Sequence, residues 1–361
     1  MGLFGKERDL NRPPEEVLLE VDGSFFQTRK EELEIRLDHF LGAHLTWRSR
    51  SSIQRLIKDR FVYLDPSAPE APSGRGAWQL ETRPGRRLLH GTKVRVVIPP
   101  DLRLPVPEGP AGPVEVLLED DDLLVVDKPP LVPVHPSGRH VNDTLIQRIH
   151  AREAERMAER GEAPRLAHRL DRETSGLVLV GRHPRAHTDL RRQFEAGTND
   201  KHYLALCRVE ASASEGERGE GSVRLPIRSA AASRVRVKMA VGEDGLPART
   251  DWRILERVGP YALVACELFT GRQHQIRVHL AAVGLPIVGD KLYGPDEELF
   301  LRASDGVLTE EDEALLELPR QALHHHRIAF DHPSTGARTT VESPLAPDLV
   351  AFLAEQRERY A

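Results

Sequence analysis

AHRLDRETSGLVLVGR, residues 167–182, is the stretch on which the reading of this chain turns. The turn DRETSG runs into the apolar strand GLVLV, and Asp171 stands at its start between Arg169 and Arg172. Taken locally, Asp171 is a turn cap whose carboxylate bonds backbone N–H groups. A carboxylate held among arginines would instead have its pKa lowered by about 1–3 units and stay ionised as a nucleophile or electrostatic stabiliser. The local residues leave both readings open.

Strand candidates lie on both sides. VEVLLED (114–120) and DLLVVDKP (122–129) precede it, parted by an acidic turn. KHYLALCRV (201–209), ALVACELF (262–269) and HRIAFD (326–331) follow. DTLIQRIHAREAERMAERG (143–161) predicts one helix, capped by Asp143 or Thr144 and ended near Gly161. Residues 211–222 predict a polar loop, and 295–320 a partly helical insertion. Strands and helices mix without the alternation of a doubly wound fold, so the expectation is an α+β domain on a mainly antiparallel mixed sheet.

Six prolines and two glycines in PPDLRLPVPEGPAGP (99–113) exclude a helix or central strand and predict a linker. Ahead of it, Leu37, Phe40, Leu41 and Leu45 have helical spacing. A second helix is expected over 48–60, with Ser49, Ser51 or Ser52 as cap and Ile53, Leu56 and Ile57 buried. FVYLD (61–65) and KVRVVIP (93–99) predict strands, with Gly91 as a turn and 66–85 as a loop insertion. The expected organisation is a tail (1–30), a small α/β RNA-binding module (31–98), the linker, and a catalytic domain (114–361).

The 361 residues carry a net charge of −5, which hides a basic stretch. Between 36 and 60, Arg36, Arg48, Arg50, Arg55, Lys58 and Arg60 face only Asp38 and Asp59, a local balance of +4. Such a stripe is what a phosphate backbone would meet. Two cysteines, Cys207 and Cys266, provide no disulfide framework and point to a reducing, cytoplasmic setting. No apolar run reaches the roughly 18–20 residues of a membrane span, and the first 16 residues lack a signal peptide's apolar core.

Two more clusters could carry chemistry. ELFTGRQHQIRVHLAAVGLPIVGDKLYG (267–294) crowds two arginines, two histidines and two glutamines between Gly271 and His279. On a helix, Ile276, Val278 and Leu280 do not share one face, so these polar groups require partners in a pocket or a ligand; a solvated helix start is the alternative. In KHYLAL (201–206) a strand would point Lys201 and Tyr203 to one face and His202 and Leu204 to the other.

HRLDRETSGLVLV, KHYLAL and TGRQHQIRVHL, in this order and spacing, resemble the motifs of the RluA family of RNA pseudouridine synthases. VVDKPPLVPVHP (125–136), PIVGDKLYG and RQALHHHRIAFDHPSTG extend the likeness over roughly 114–350. Residues 31–98 separately resemble the alpha-L RNA-binding motif of small-subunit ribosomal protein S-four. That motif's usual Gly-Asp is Gly91-Thr92 here.

The resemblance implies that Asp171 attacks or deprotonates the target nucleoside, that Tyr203 stacks on the base and is implicated in removing its C5 proton, and that Arg277 pairs with the aspartate. It implies that Arg169 fills the space an extruded base vacates. His168, Lys201, Arg272, His274 and Gln275 are expected to contact RNA around the site, and Arg36, Arg48, Arg50, Arg55 and Lys58 to hold phosphates. No cofactor, metal or membrane is expected; the partner is RNA, ribosomal ahead of transfer RNA, and the protein is expected to be a monomer. Rival readings are a metallohydrolase using some of the 16 histidines, a non-catalytic RNA-binding protein, and a two-carboxylate glycosidase. The last is disfavoured because no second acid is counted within the motifs.

Overall fold

The structure, a computed structural model, describes residues 16–21, 34–45, 50–65, 78–99, 112–136, 143–210 and 219–361. The linker at 99–113, the cap candidate Ser49, Arg48, and the side chains of Arg50 and Ser51 lie wholly or largely outside the described residues, as does 66–77 of the expected insertion. The chain divides into two compact units, one of residues 1–111 with 135–143 and 153–163, the other of 112–134, 144–152 and 164–361.

In the first unit the described elements are β1 (Glu16–Glu20), β2 (Glu34–Arg36), α1 (Leu37–His44), α2 (Arg50–Lys58), β3 (Val62–Asp65), β4 (Gln79–Leu80), β5 (Arg87–Leu89) and β6 (Lys93–Val97). Strands run β1-β6-β3-β4, and β2 pairs with β5. Residues 16–20, expected in a frayed tail, are β1, because Val17 and Leu19 bury one side of a strand paired with β6. Helix α2 buries Ile53, Leu56 and Ile57 against Phe40 and Leu41 of α1, as its spacing predicts. Gly91 has φ +81, the left-handed turn expected there.

The second unit comprises β7 (Glu115–Glu119), β8 (Leu123–Lys128), α3 (Leu145–Arg152), β9 (Arg165–Leu166), β10 (Ser175–Gly181), α5 (Pro184–Ala196), β11 (Asp200–Arg208), β12 (Glu220–Val223), β13 (Ile227–Ser229), β14 (Met239–Val241), β15 (Thr250–Val258), β16 (Tyr261–Leu268), α6 (Gln275–Ala282), α7 (Glu298–Asp305), α8 (Glu310–Leu316), β17 (Leu323–Asp331), β18 (Arg338–Glu342) and α9 (Pro347–Arg359). The remaining helix, α4 (Ala154–Arg160), groups with the first unit. The single helix expected over 143–161 is thus two, parted at Glu153, and Gly161 ends the second in the left-handed conformation. The polar loop expected to reach residue 222 ends earlier, where β12 pairs with β15.

The large sheet runs β12-β15-β16-β11-β17-β10-β8-β7, with β18 on β17 and β9 on β10. Its pairings are antiparallel except β10 with β17. This is the mixed α+β sheet expected. Strand β10 is buried at every residue, as a central strand must be. At Gly176 (φ +107) a Cβ would lie 2.3 Å from the His325 carbonyl oxygen, so only glycine lets β17 come this close.

Candidate active site

Asp171 lies in the loop between β9 and β10, where its own carbonyl accepts the Thr174 N–H. Its carboxylate bonds a distant arginine rather than capping the turn. Oδ2 accepts from Arg277 Nη1 at 2.9 Å, across 106 residues of chain. The flanking arginines do not hold it: Arg169 is exposed, and Arg172 points to Glu173 at 3.4 Å.

Arg277 is itself fixed. Its Nε donates to Asp290 Oδ2 at 2.6 Å and its Nη2 to Asp290 Oδ1 at 2.8 Å, the two-pronged geometry guanidinium favours. Asp290 Oδ1 also accepts the amides of Leu292 and Tyr293. The Tyr293 ring lies 5.0 Å from the guanidinium carbon. One buried cation therefore bridges two carboxylates. Asp290 is fully enclosed, whereas the Asp171 side chain is 29% exposed. Asp290 is the acid of PIVGDKLYG, so a second carboxylate does belong to the cluster. Its saturation by Arg277 and two amides makes it an anchor rather than a partner in glycoside hydrolysis.

Burial is the largest influence and works to raise the Asp171 pKa, but Arg277, His274 and Gln321 together outweigh it and hold the carboxyl below the usual range. Burial opposes charge on Arg277 too, and Asp290 ahead of Asp171 keeps it protonated. His274, in a left-handed conformation at the head of α6, bonds the Tyr293 hydroxyl through Nδ1 at 2.9 Å and has Nε2 3.9 Å from Asp171. Burial pushes its pKa down to about 4, so this imidazole is neutral.

Tyr203 sits on β11 with Lys201 on the inward face, while His202 and Leu204 are half-buried on the other, as the strand period predicts. Burial, then the charge of Asp171, raises the Tyr203 pKa. The phenol is therefore neutral at any physiological pH.

Several residues expected at an RNA surface face inward. Lys201 is buried and donates to the Asn199 carbonyl. Gln275 is buried and ties Thr270, Arg272, Arg249 and Thr250 together at the start of α6. His168 accepts the Leu179 amide through Nε2, and burial takes its pKa to about 3. Strand β11 turns Lys201 and helix α6 turns Gln275 to the core, while His168 lies in the bend that follows β9. Arg272 is exposed, with Nε on the Pro247 carbonyl, and the exposed Arg169 side chain makes no hydrogen bond or ion pair among the described residues. In the first unit Arg36 is forked onto buried Asp38 and Arg55 pairs with Asp59, while Lys58 and Arg60 are exposed and have no such partner among the described residues.

Sequence reasoning missed Lys128 as well. It is wholly buried, and its Nζ donates to the carbonyls of Pro129, Val132 and Arg172, the residue after Asp171. Burial first, then Arg320, lowers its pKa to about 7, yet three acceptors match the three hydrogens of an ammonium.

The three adjacent histidines each bond the protein. His324 bonds Ser175, His325 the Leu177 carbonyl and His326 the Ser343 carbonyl. Asp120, Asp122 and His332 do bring ligand atoms within 4.8 Å of one another, near a cavity of about 180 Å³ lined by Asp122, His183 and Ser334. There His332 Nδ1 accepts the Ser334 and Thr335 amides, and His183 Nδ1 accepts that of Ala186. Each Nε2 thus carries the proton, donated to Asp120 and Asp122, and offers a cation no lone pair.

A family model described as RNA pseudouridylate synthase matches residues 122–282, which contain Asp171, Tyr203 and Arg277. The ribosomal large subunit pseudouridine synthase D of Nitrosomonas europaea is 35% identical, over 88% of this chain and 83% of its own. That of Xanthomonas campestris pv. campestris is 38% identical, over 68% and 70%. Human RNA pseudouridylate synthase domain containing 4 shares the fold, with a TM-score of 0.52 at 23% identity over 67% of this chain and 93% of its own. These likenesses define the class, an isomerase that acts on RNA. Within it, the chain belongs to the RluA-like family of RNA pseudouridine synthases.

Proposed function

We propose that this enzyme converts uridines of large-subunit ribosomal RNA to pseudouridine, with Asp171 as the catalytic carboxylate acting on a flipped-out base. The observation that carries the reading is the half-open Asp171 carboxylate, kept ionised by an arginine that Asp290 holds from behind. The RNA class rests on the relatives from Nitrosomonas and Xanthomonas, both named as large-subunit synthases.

The reaction breaks the bond from C1′ to N1, turns the base and forms the bond from C1′ to C5; the C5 proton leaves and N1 gains one. Redox state and composition are unchanged, so no outside reactant is required. Positive character builds on the sugar as the first bond breaks, and the ionised Asp171 carboxylate stabilises it or attacks it. Extruding the base costs a few kcal/mol. The Tyr203 ring, stacking on the base, and Arg169, entering the vacated gap, offset that cost. A phenol whose pKa is raised favours the stacking role of Tyr203 over a phenolate taking the C5 proton.

Residues 31–98 form, in this reading, an alpha-L RNA-binding domain joined by a linker to the catalytic domain at 114–361. Lys58 and the neighbouring arginines neutralise phosphates there, while Arg272 serves the catalytic domain. The protein works in the cytoplasm as a monomer. Both cysteines are buried and unpaired, in keeping with a reducing compartment. Among the described residues no helix is long and apolar enough to cross a membrane. The test is carbodiimide mapping of unmodified large-subunit ribosomal RNA after incubation with the enzyme. New pseudouridine stops in that RNA support the reading; their absence there, with stops in transfer RNA, reassigns the substrate.

A further inference from the structure

Tyr203 lies against a second ring. The imidazole of His325 is stacked on it, centroids 4.3 Å apart and planes 11° from parallel. We propose that His325 is a positioning residue: it fixes the plane of the Tyr203 ring and, through it, the plane in which the flipped base is held. This rests on the stacking role given to Tyr203 above.

Backbone geometry builds the contact. Strands β11 and β17 pair antiparallel, with Lys201 opposite Ile328 and His202 opposite Arg327. The next partner of Tyr203 is His325, not His326, because a β-bulge lies between. Unbulged register would set His326 opposite Tyr203, and since side chains alternate, His325 would face elsewhere. Bulges recur where a strand must re-aim a side chain. Here one residue is given up from the ladder and His325 comes to lie against Tyr203.

The ring is then locked. His325 Nδ1 donates to the Leu177 carbonyl of β10 at 2.7 Å, and glycine at 176 allows β10 to approach that closely. His168 meets the imidazole edge-on, centroids 5.7 Å apart, and Phe194 lies 4.4 Å beyond. A column of rings thus runs from α5 to Tyr203. His325 is fully buried, and its Nε2 has no hydrogen-bond partner among the described residues. A polar atom left unsatisfied in the interior is unfavourable for folding. Its persistence fits a ring kept for its flat face, with one nitrogen used as a tether. The phenol hydroxyl makes no hydrogen bond to the protein among the described residues, so the stack is what sets this ring.

The test compares His325→Ala, which removes the platform, with His325→Phe, which keeps a flat ring and loses the tether. Single-turnover pseudouridine formation and RNA affinity are measured for each. A small misplacement of a positioning group costs up to about 100-fold in rate. His325→Ala is expected to slow the chemical step by roughly 10- to 100-fold with affinity within about threefold, and His325→Phe to recover most of the rate. Equal rates for wild type and His325→Ala, or equal losses in both variants, overturn the proposal. Fluorine NMR of protein labelled with 3-fluorotyrosine, the Tyr203 signal assigned with Tyr203→Phe, reads the stack without reference to activity. His325→Ala must shift and broaden that signal; an unmoved signal also overturns the proposal. An inactive wild type with a signal that responds would indict the reaction assigned to the site, not the stack.

Discussion

Replacing Asp290 by asparagine removes one charge from the Asp171–Arg277–Asp290 chain and little else. The side chain keeps its shape, and its carbonyl still accepts the Leu292 and Tyr293 amides, which now meet Asp290 Oδ1 at 2.9 and 3.0 Å. Arg277 keeps its Nη2 bond to that carbonyl, now without the carboxylate's charge, and loses the 2.6 Å bond from Nε, which meets an N–H₂ where Oδ2 stood. Removing one member of a buried ion pair costs about 3–5 kcal/mol. At about 2–4 °C per kcal/mol for a domain near this size, the melting temperature should fall by roughly 6–20 °C. Chemistry should suffer as well. Without its anchor the guanidinium turns fully onto Asp171 and occupies the oxygen needed for the sugar. A loss of about 2 kcal/mol of transition-state stabilisation corresponds to roughly 30-fold in rate. Thermal melts and single-turnover tritium release from RNA labelled at uridine C5 measure the two effects separately. Unchanged melting would refute the energetic argument. A large drop in stability with the wild-type rate would refute the claim that Asp290 orients Arg277 for catalysis.

Other expectations follow from the same contacts. A carboxyl whose folded pKa lies below its ordinary 3.8 stays ionised as pH falls to that lower value, and His274 is neutral above about 4. The single-turnover rate should therefore show no acid limb between pH 5.5 and 7; a limb near pH 6 would mean that an imidazole titrates in the mechanism. In the first unit, Arg55→Gln combined with Lys58→Gln should weaken RNA binding and lessen the slope of log affinity against log salt by roughly 1.5, with little effect on the chemical step. An unchanged slope would make the basic stripe a solvated surface.

The strands on either side of Asp171 were legible because a central strand is apolar at every residue and its neighbours alternate. The pairing of Asp171 with Arg277 was not legible from neighbouring residues. Arg169 and Arg172 are nearer in sequence, yet the loop sends both outward, and only the resemblance to a family pointed 106 residues on. Asp290 escaped notice because an acid between Gly289 and Lys291 reads as a solvated turn. Its role exists only once α6 delivers Arg277 beside it. Lys201 and Gln275 illustrate the converse error. Long polar side chains near a site suggest a ligand, but here backbone carbonyls and hydroxyls of the protein satisfy them. The bulge at His326 left no composition signal, and it decides which of three adjacent histidines meets Tyr203.

The central claim is that Asp171 performs the chemistry. Its most direct test is single-turnover tritium release by Asp171→Asn, run beside an RNA-affinity measurement. The substitution keeps size and hydrogen bonding and removes the charge. The account predicts a rate at least about 10³-fold below wild type, the scale on which losing a nucleophile is felt in other enzymes, with RNA affinity within about threefold. Pseudouridine formed by Asp171→Asn at close to the wild-type rate would contradict it.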